Sequence, residues 1–231
     1  MSERIFLEWL PDDPDSPFPP TANALPEPNG LLAAGGDLSP TRLLNAYRQG
    51  IFPWYSEGNP ILWWSPAPRC VLLPAEVHLS RRTRRRFNGG AYRITVNQAF
   101  EDVVQACAAP RPGEPGTWIT AEMATAYQRM YHLGYAHSLE VWLDGELAGG
   151  IYGLLFGSVF FGESMFSGRT DGSKIALVAL CRLLDSSGVE LMDCQIANPH
   201  LFSMGARETD RESFESELNR LVDRPSRFTE L

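Results

Sequence analysis

Gly149-Gly150-Ile151-Tyr152-Gly153-Leu154-Leu155-Phe156-Gly157-Ser158-Val159-Phe160-Phe161-Gly162-Glu163-Ser164-Met165-Phe166-Ser167 is the stretch that decides the fold. Two apolar, aromatic runs flank Gly157-Ser158, which predicts a β-hairpin. Upstream, Ser138-Leu139-Glu140-Val141-Trp142-Leu143 has strand character, and Asp144-Gly145 is a strong hairpin turn. Three antiparallel strands in series therefore lead to Glu163, a lone carboxylate among apolar residues. Burying a carboxylate is costly unless it is hydrogen-bonded or paired. Glu163 is thus either a satisfied structural group or a working one.

Downstream, Ile175 to Leu184 is apolar almost all round, which predicts a central buried helix. Val189 to Ile196 follows as a strand carrying Asp193 and Gln195, two apart and so on one face. If this strand neighbours that of Glu163, two carboxylates and an amide converge on one cleft. Thr209-x-x-Glu212 predicts a capping box before a last amphipathic helix through Phe214, Leu218, Leu221 and Val222.

The part before the hairpin is less regular. Residues 11 to 29 read as an extended segment rich in proline and aspartate. Ser39-Pro40 predicts a helix start and Gly50 its stop. Three of the six tryptophans then fall between Trp54 and Trp64, punctuated by prolines. Such a cluster is core, or a flat platform on which bases stack. Arg69 to Pro74 and Tyr92 to Val96 read as strands. Residues from roughly 98 to 108 read as one helix, and Thr120 is expected to cap another that ends at Gly134. The plan is α+β with a mixed, mostly antiparallel sheet, and a small N-terminal domain of residues 1–66 before a larger one of 67–231.

Composition narrows the function. The 231 residues are 44% hydrophobic and 21% charged, an ordinary globular balance without an apolar run of membrane-spanning length. Acid mixed into the first ten residues argues against a signal peptide, so the expected compartment is the cytoplasm. Cys70, Cys107, Cys181 and Cys194 are scattered, which favours reduced core thiols over a disulfide or zinc site. Net charge is -8, yet Arg81, Arg82, Arg84, Arg85 and Arg86 fill five of six consecutive positions. That run is a solvated helix face or a local phosphate-binding patch. No phosphate loop of dinucleotide or P-loop type is present, so nothing in the sequence suggests ATP or NAD use.

The chain resembles the bacterial leucyl/phenylalanyl-tRNA–protein transferase family. The resemblance rests on Glu27-Pro28-Asn29-Gly30-Leu31-Leu32-Ala33, Gly35-Gly36-Asp37-Leu38-Ser39-Pro40, Tyr47, Gly50-Ile51-Phe52-Pro53-Trp54 and Pro60-Ile61-Leu62-Trp63-Trp64-Ser65-Pro66. It continues through Thr117-Trp118-Ile119-Thr120, Gly162-Glu163-Ser164-Met165-Phe166-Ser167 and Asp193-Cys194-Gln195, in family order. It implies a small N-terminal domain packed on a GNAT-like acyltransferase domain. It implies transfer of leucine or phenylalanine, less often methionine, from tRNA to the α-amino group of a protein beginning with arginine or lysine. The product would be marked for degradation by the N-end rule. No cofactor or metal is implied, because the aminoacyl ester is already activated, and a monomer is expected.

The same resemblance assigns residues. Gln195 would contact the attacking amine, Asp193 would support Gln195 electrostatically, only orient it, or serve the strand structurally, and Glu163 would orient the aminoacyl end. Ile151, Phe160, Leu180 and Met192 would form the donor side-chain pocket. Three of these depart from the family's pattern, which has Met, Phe and Ile where this chain has Ile151, Leu180 and Met192. Tyr47, Trp54, Trp118 and Tyr127 would surround the terminal adenosine, and the arginine run would lie along acceptor-stem phosphates. An acyl-CoA-dependent GNAT enzyme is the nearest rival, but Phe166 to Ser173 lacks the pyrophosphate-loop spacing. A non-catalytic tRNA-binding module is the other rival, and it would not need Glu163, Asp193 and Gln195 together.

Overall fold

The structure, a computed structural model, describes residues 7–89, 92–110 and 118–228. Most of the Pro110–Gly116 loop, Thr117 and the first six residues lie outside them. In chain order the elements are β1 (Glu8–Leu10), β2 (Leu31–Gly35), α1 (Pro40–Tyr47), β3 (Phe52–Pro53), β4 (Leu62–Trp64), β5 (Arg69–Leu72), α2 (Arg81–Asn88), β6 (Arg93–Val96), α3 (Phe100–Ala108) and α4 (Ala121–His132). Then follow β7 (Ala136–Leu143), β8 (Glu146–Phe156), β9 (Val159–Ser167), α5 (Gly172–Ser186), β10 (Leu191–Gln195), α6 (Pro199–Ser203), β11 (Arg207–Thr209) and α7 (Arg211–Leu221).

The local signals mostly produce the elements they predict. Ser39 caps α1 by accepting from the Arg42 amide, with Pro40 at the first helical position. Thr120 caps α4 through the Met123 amide. Asp144 and Gly145 both take positive φ, as a two-residue hairpin turn of this kind requires. One capping prediction is off by a residue. The cap of α7 is Asp210, whose carboxylate accepts from the Ser213 amide and hydroxyl, both at 2.8 Å. Thr209 instead ends β11. A carboxylate at the helix start also meets the positive end of the helix dipole, which a threonine hydroxyl does not exploit.

Two sheets result. The small one has the order β1-β2-β4-β3. The large one has the order β11-β5-β10-β9-β8-β7-β6 and is antiparallel throughout except for β10 beside β9. One face of the large sheet packs on α5, with Ile175, Leu177, Leu180 and Cys181 buried against Leu139, Ile151, Phe160 and Met192. The close approach of this helix needs glycine. A Cβ on Gly172 would sit 2.1 Å from the Ala148 carbonyl oxygen, and one on Gly149 would sit 2.5 Å from the Gly172 backbone.

The opposite face carries α3, α4, α7 and the small sheet in one continuous apolar cluster, from Leu10 and Trp63 to Phe161 and Phe214. The small sheet therefore shares its core with the large one. Trp63 is fully buried, its indole N–H donating to the Gly35 carbonyl at 3.0 Å, so this member of the aromatic cluster is core.

Candidate active site

Strands β9 and β10 run parallel and pair as far as Phe161 with Asp193. Just beyond that point both are bulged. On the β8 side, Tyr152 pairs with Ser164 and Gly153 with Gly162, which leaves Glu163 as the extra residue. On the β5 side, Asp193 pairs with Val71 and Gln195 with Cys70, which leaves Cys194 as the extra residue. Gln195 itself has φ 60. Two neighbouring strands thus break register together and aim their next polar side chains at each other. Glycine 153 permits the first bulge, since a Cβ there would lie 2.0 Å from the Phe161 carbonyl oxygen.

Glu163 is 8% exposed. Its Oε1 accepts from the Tyr47 hydroxyl at 2.7 Å and from the Gln195 amide Nε2 at 3.2 Å, and its Oε2 accepts from the Tyr127 hydroxyl at 2.6 Å. The two hydroxyls lie 2.8 Å apart. Burial raises the Glu163 carboxyl above its usual range. Hydrogen bonds from Tyr127, Tyr47 and Gln195 pull it back, the Asp193 charge pushes it up, and the balance lies at about 7. Burial, and then the Glu163 charge, push the Tyr47, Tyr127 and Tyr152 hydroxyls well above their normal value, so all three stay protonated.

Asp193 is fully buried and has other work. Both its oxygens accept from Arg69, at 2.8 Å from Nε and 2.7 Å from Nη2, and Oδ1 also accepts the Gln195 backbone amide at 2.9 Å. The guanidinium lies between the Phe52 ring at 4.9 Å and the Phe214 ring at 4.7 Å. The even spacing of 193 and 195 suggested one shared face. The bulge at Cys194 separates them: Asp193 points into the core, and Gln195 lines the cleft.

That cleft is a cavity of about 350 Å³ lined by Glu163, Gln195 and Asn198 among mainly apolar groups. Ile151, Met165, Leu177, Met192 and Leu201 form much of its wall, with Trp54 and Trp118 present too. Of the expected donor-pocket residues, Ile151 and Met192 line it. Phe160 and Leu180 are 1% and 2% exposed, pack in the core on the α5 side and do not line it. Of the four residues expected around an adenosine, Trp54 and Trp118 line the cavity. Tyr47 and Tyr127 are each 1% exposed and stand behind Glu163 as its hydrogen-bond donors.

The arginine run forms α2, capped by Ser80. Arg81, Arg82, Arg84 and Arg85 are exposed, whereas Arg86 is held by Asp171 at 2.7 Å. Among the described residues, no group of three or more His, Cys, Asp or Glu could hold a metal ion. Cys70, Cys107, Cys181 and Cys194 are all buried, and none of them is in a disulfide among the described residues. Sequence reasoning missed Arg69 as the partner of Asp193. The only signal was a lone arginine opening the apolar run Cys70-Val71-Leu72-Leu73.

Comparison with known proteins adds the family. Residues 71–219 match the family model described as leucyl/phenylalanyl-tRNA protein transferase, and residues 36–67 match that of its N-terminal domain. The leucyl/phenylalanyl-tRNA–protein transferase of Stutzerimonas stutzeri is 56% identical over 221 residues, 96% of this chain and 97% of that protein. The one from Nitrosomonas europaea is 58% identical over 207 residues, 90% and 88% of the two chains. Among solved structures, a GCN5-related N-acetyltransferase from Kribbella flavida aligns over 70% of this chain and 57% of that chain, with a TM-score of 0.40 and 9% identity, a likeness too slight to bear on the fold. With relatives this similar over almost its entire length, the chain belongs to the leucyl/phenylalanyl-tRNA–protein transferase family.

Proposed function

We propose that this protein transfers leucine or phenylalanine, less often methionine, from its tRNA to the N-terminal α-amino group of a protein that begins with arginine or lysine. The product would be marked for degradation by the N-end rule. The observation that carries this reading is the Gln195–Glu163 pair at the wall of an otherwise mainly apolar cavity. An apolar side chain fits such a wall, and the polar pair stands where an ester carbonyl and an amine would meet.

The chemistry is modest and suits the site. An α-amino group has a pKa of about 7.7–8.0, so a useful fraction is neutral near pH 7 and ester aminolysis needs placement above all. Gln195 would contact the amine. Asp193, with both oxygens committed to Arg69 and the Gln195 backbone, would act by holding Gln195 in its positive-φ conformation. Ile151 and Met192 would meet the donor side chain, with Phe160 and Leu180 supporting them from behind. Trp54 and Trp118 would stack on the terminal adenosine, and Tyr47 and Tyr127 would act through Glu163 instead of touching the base. The exposed arginines of α2 would follow acceptor-stem phosphates.

We place the division between an N-terminal domain and the transfer domain near Pro66, where the small sheet ends. A cytoplasmic monomer is the setting this reading implies, and no helix among the described residues is long and apolar enough to cross a membrane. The test is transfer of labelled leucine from leucyl-tRNA to a peptide beginning with arginine, with an alanine-first peptide and acetyl-CoA as controls. Transfer from the tRNA donor to the arginine peptide alone is expected. Transfer from acetyl-CoA, or equal transfer to the alanine peptide, would overturn the reading.

A further inference from the structure

Among the described residues, Glu140 and Glu163 are the buried glutamates, and their surroundings differ. Glu140 is fully buried, takes hydroxyl bonds from Thr95 and Ser138, and sits against the backbone amides of Gln98 and Ala99 at the start of α3. It caps a helix that lacks a side-chain cap of its own and stands away from the cavity. Among the described residues that line the cavity, Glu163 is the only carboxylate. Its hydrogen-bond donors Tyr47, Tyr127 and Gln195 are neutral, and among the described residues it forms no ion pair, while the nearby guanidinium of Arg69 is spent on Asp193. A structural carboxylate in this position would gain from a cation. One that must take up and release a proton would not, because a cation would hold it permanently charged.

We propose that Glu163 is the proton shuttle of the transfer reaction, and that Tyr47 and Tyr127 are positioning residues that set its proton affinity. This rests on the aminoacyl-transfer reading above. The amine nitrogen forms a bond to the ester carbonyl carbon, and the bond from that carbon to the ribose oxygen breaks with its electron pair going to oxygen. The proton lost by nitrogen passes to Glu163 and then to the departing ribose oxygen, so the carboxylate is regenerated each cycle. A group that is half protonated near neutrality serves both steps. The groups facing Glu163 are Tyr47 from α1, Tyr127 from α4, Tyr152 from β8, and Gln195 and Asp193 from β10, with Arg69 of β5 neutralising Asp193. Cys107 of α3 adds to the upward push on the Tyr152 hydroxyl.

The test is the pH dependence of single-turnover transfer, at saturating leucyl-tRNA and arginine peptide, for wild type, Glu163→Gln, Glu163→Asp and Tyr127→Phe. Glu163→Gln should lose about 10²–10⁴-fold in rate while still binding leucyl-tRNA. Glu163→Asp should recover part of that rate. Tyr127→Phe removes a donor to the charged form, so the acidic limb of its profile should move up by about one pH unit or more. The peptide amine is the same in every reaction, so a shift between variants belongs to the enzyme. A Glu163→Gln rate within about threefold of wild type, or a Tyr127→Phe profile superimposable on wild type, would overturn the shuttle and leave the transfer reading standing. Absence of transfer by the wild type would overturn the transfer reading itself. Tyr127→Phe deletes one oxygen, so it reports even if Glu163→Gln fails to fold.

Discussion

Arg69 and Asp193 grip each other through two hydrogen bonds, 2.8 and 2.7 Å long, in a part of the core where neither side chain is more than 1% exposed. On the reading proposed above, this pair would make Asp193 a holder of Gln195 and not a reacting group, since its oxygens are committed to Arg69 and the Gln195 backbone amide.

Asp193→Asn should therefore cost about 3–5 kcal/mol of stability, because it leaves the Arg69 charge buried without its counter-ion. The paired replacement Arg69→Met with Asp193→Leu should regain most of that stability yet remain poorly active, since the Gln195 amide still lacks its acceptor. Urea denaturation beside the transfer assay checks both. An Asp193→Asn protein of wild-type stability and no activity would put Asp193 back among the reacting groups.

The cavity wall separates selectivity from stability. Met192→Ala should favour phenylalanine over leucine, with a change in selectivity worth about 1–3 kcal/mol. Phe160→Ala and Leu180→Ala should act mainly on folding, at about 3–5 and 2–5 kcal/mol respectively, because these side chains are core. Competition between leucyl- and phenylalanyl-tRNA, set against melting curves, tells the two classes apart.

Helix α2 should contribute binding and little else. Replacing Arg81, Arg82, Arg84 and Arg85 with alanine should weaken aminoacyl-tRNA binding and flatten its salt dependence, by roughly 0.9 in the log–log slope per lost contact if the stem behaves as a duplex. Arg86 is engaged by Asp171, so Arg86→Ala alone should change the slope less. Filter binding from low to high salt measures this, and an unchanged slope in the fourfold variant would remove α2 from the tRNA interface.

Glu163 should also leave a mark on stability. Its carboxyl sits at about 7 in the folded chain against an ordinary value of 4.5. Below pH 4.5 both states are protonated and the group contributes nothing. As pH rises from 4.5 to 7 the unfolded chain releases the proton first, so the native state loses ground, by about 3 kcal/mol above pH 7. The stability of wild type relative to Glu163→Gln should thus decline from about pH 4.5 to about pH 7 and level off above it. A flat difference would mean that Glu163 is not proton-loaded in the fold.

Much of this was legible in the chain because its signals are local. The Asp144-Gly145 turn, the Ser39-Pro40 start and the apolar run of α5 each determine an element within a few residues. The small sheet was not legible. Its strands are two to five residues long, and Leu31–Gly35 becomes a strand only because Glu8–Leu10 and Leu62–Trp64 pair with it from far along the sequence. The short β11 and α6 escaped for the same reason of length.

The site divides in the same way. Glu163, Gln195, Ile151, Met192, Trp54 and Trp118 are all legible in the sequence through the family's motifs, and they line one cavity. What sequence could not supply was the pair of bulges. A period of two places Asp193 and Gln195 together, and only the extra residue at Cys194 sends them to different partners. Nor does any spacing show that Tyr47 and Tyr127, 80 positions apart, share Glu163.

The most direct test of the central claim is the effect of Gln195→Ala on turnover and on leucyl-tRNA affinity, measured on the same preparation. Turnover should fall about 10²-fold or more with the dissociation constant for leucyl-tRNA nearly unchanged, if Gln195 meets the amine and not the tRNA body as proposed. Equal losses in turnover and affinity, or full turnover without the Gln195 amide, would contradict that claim.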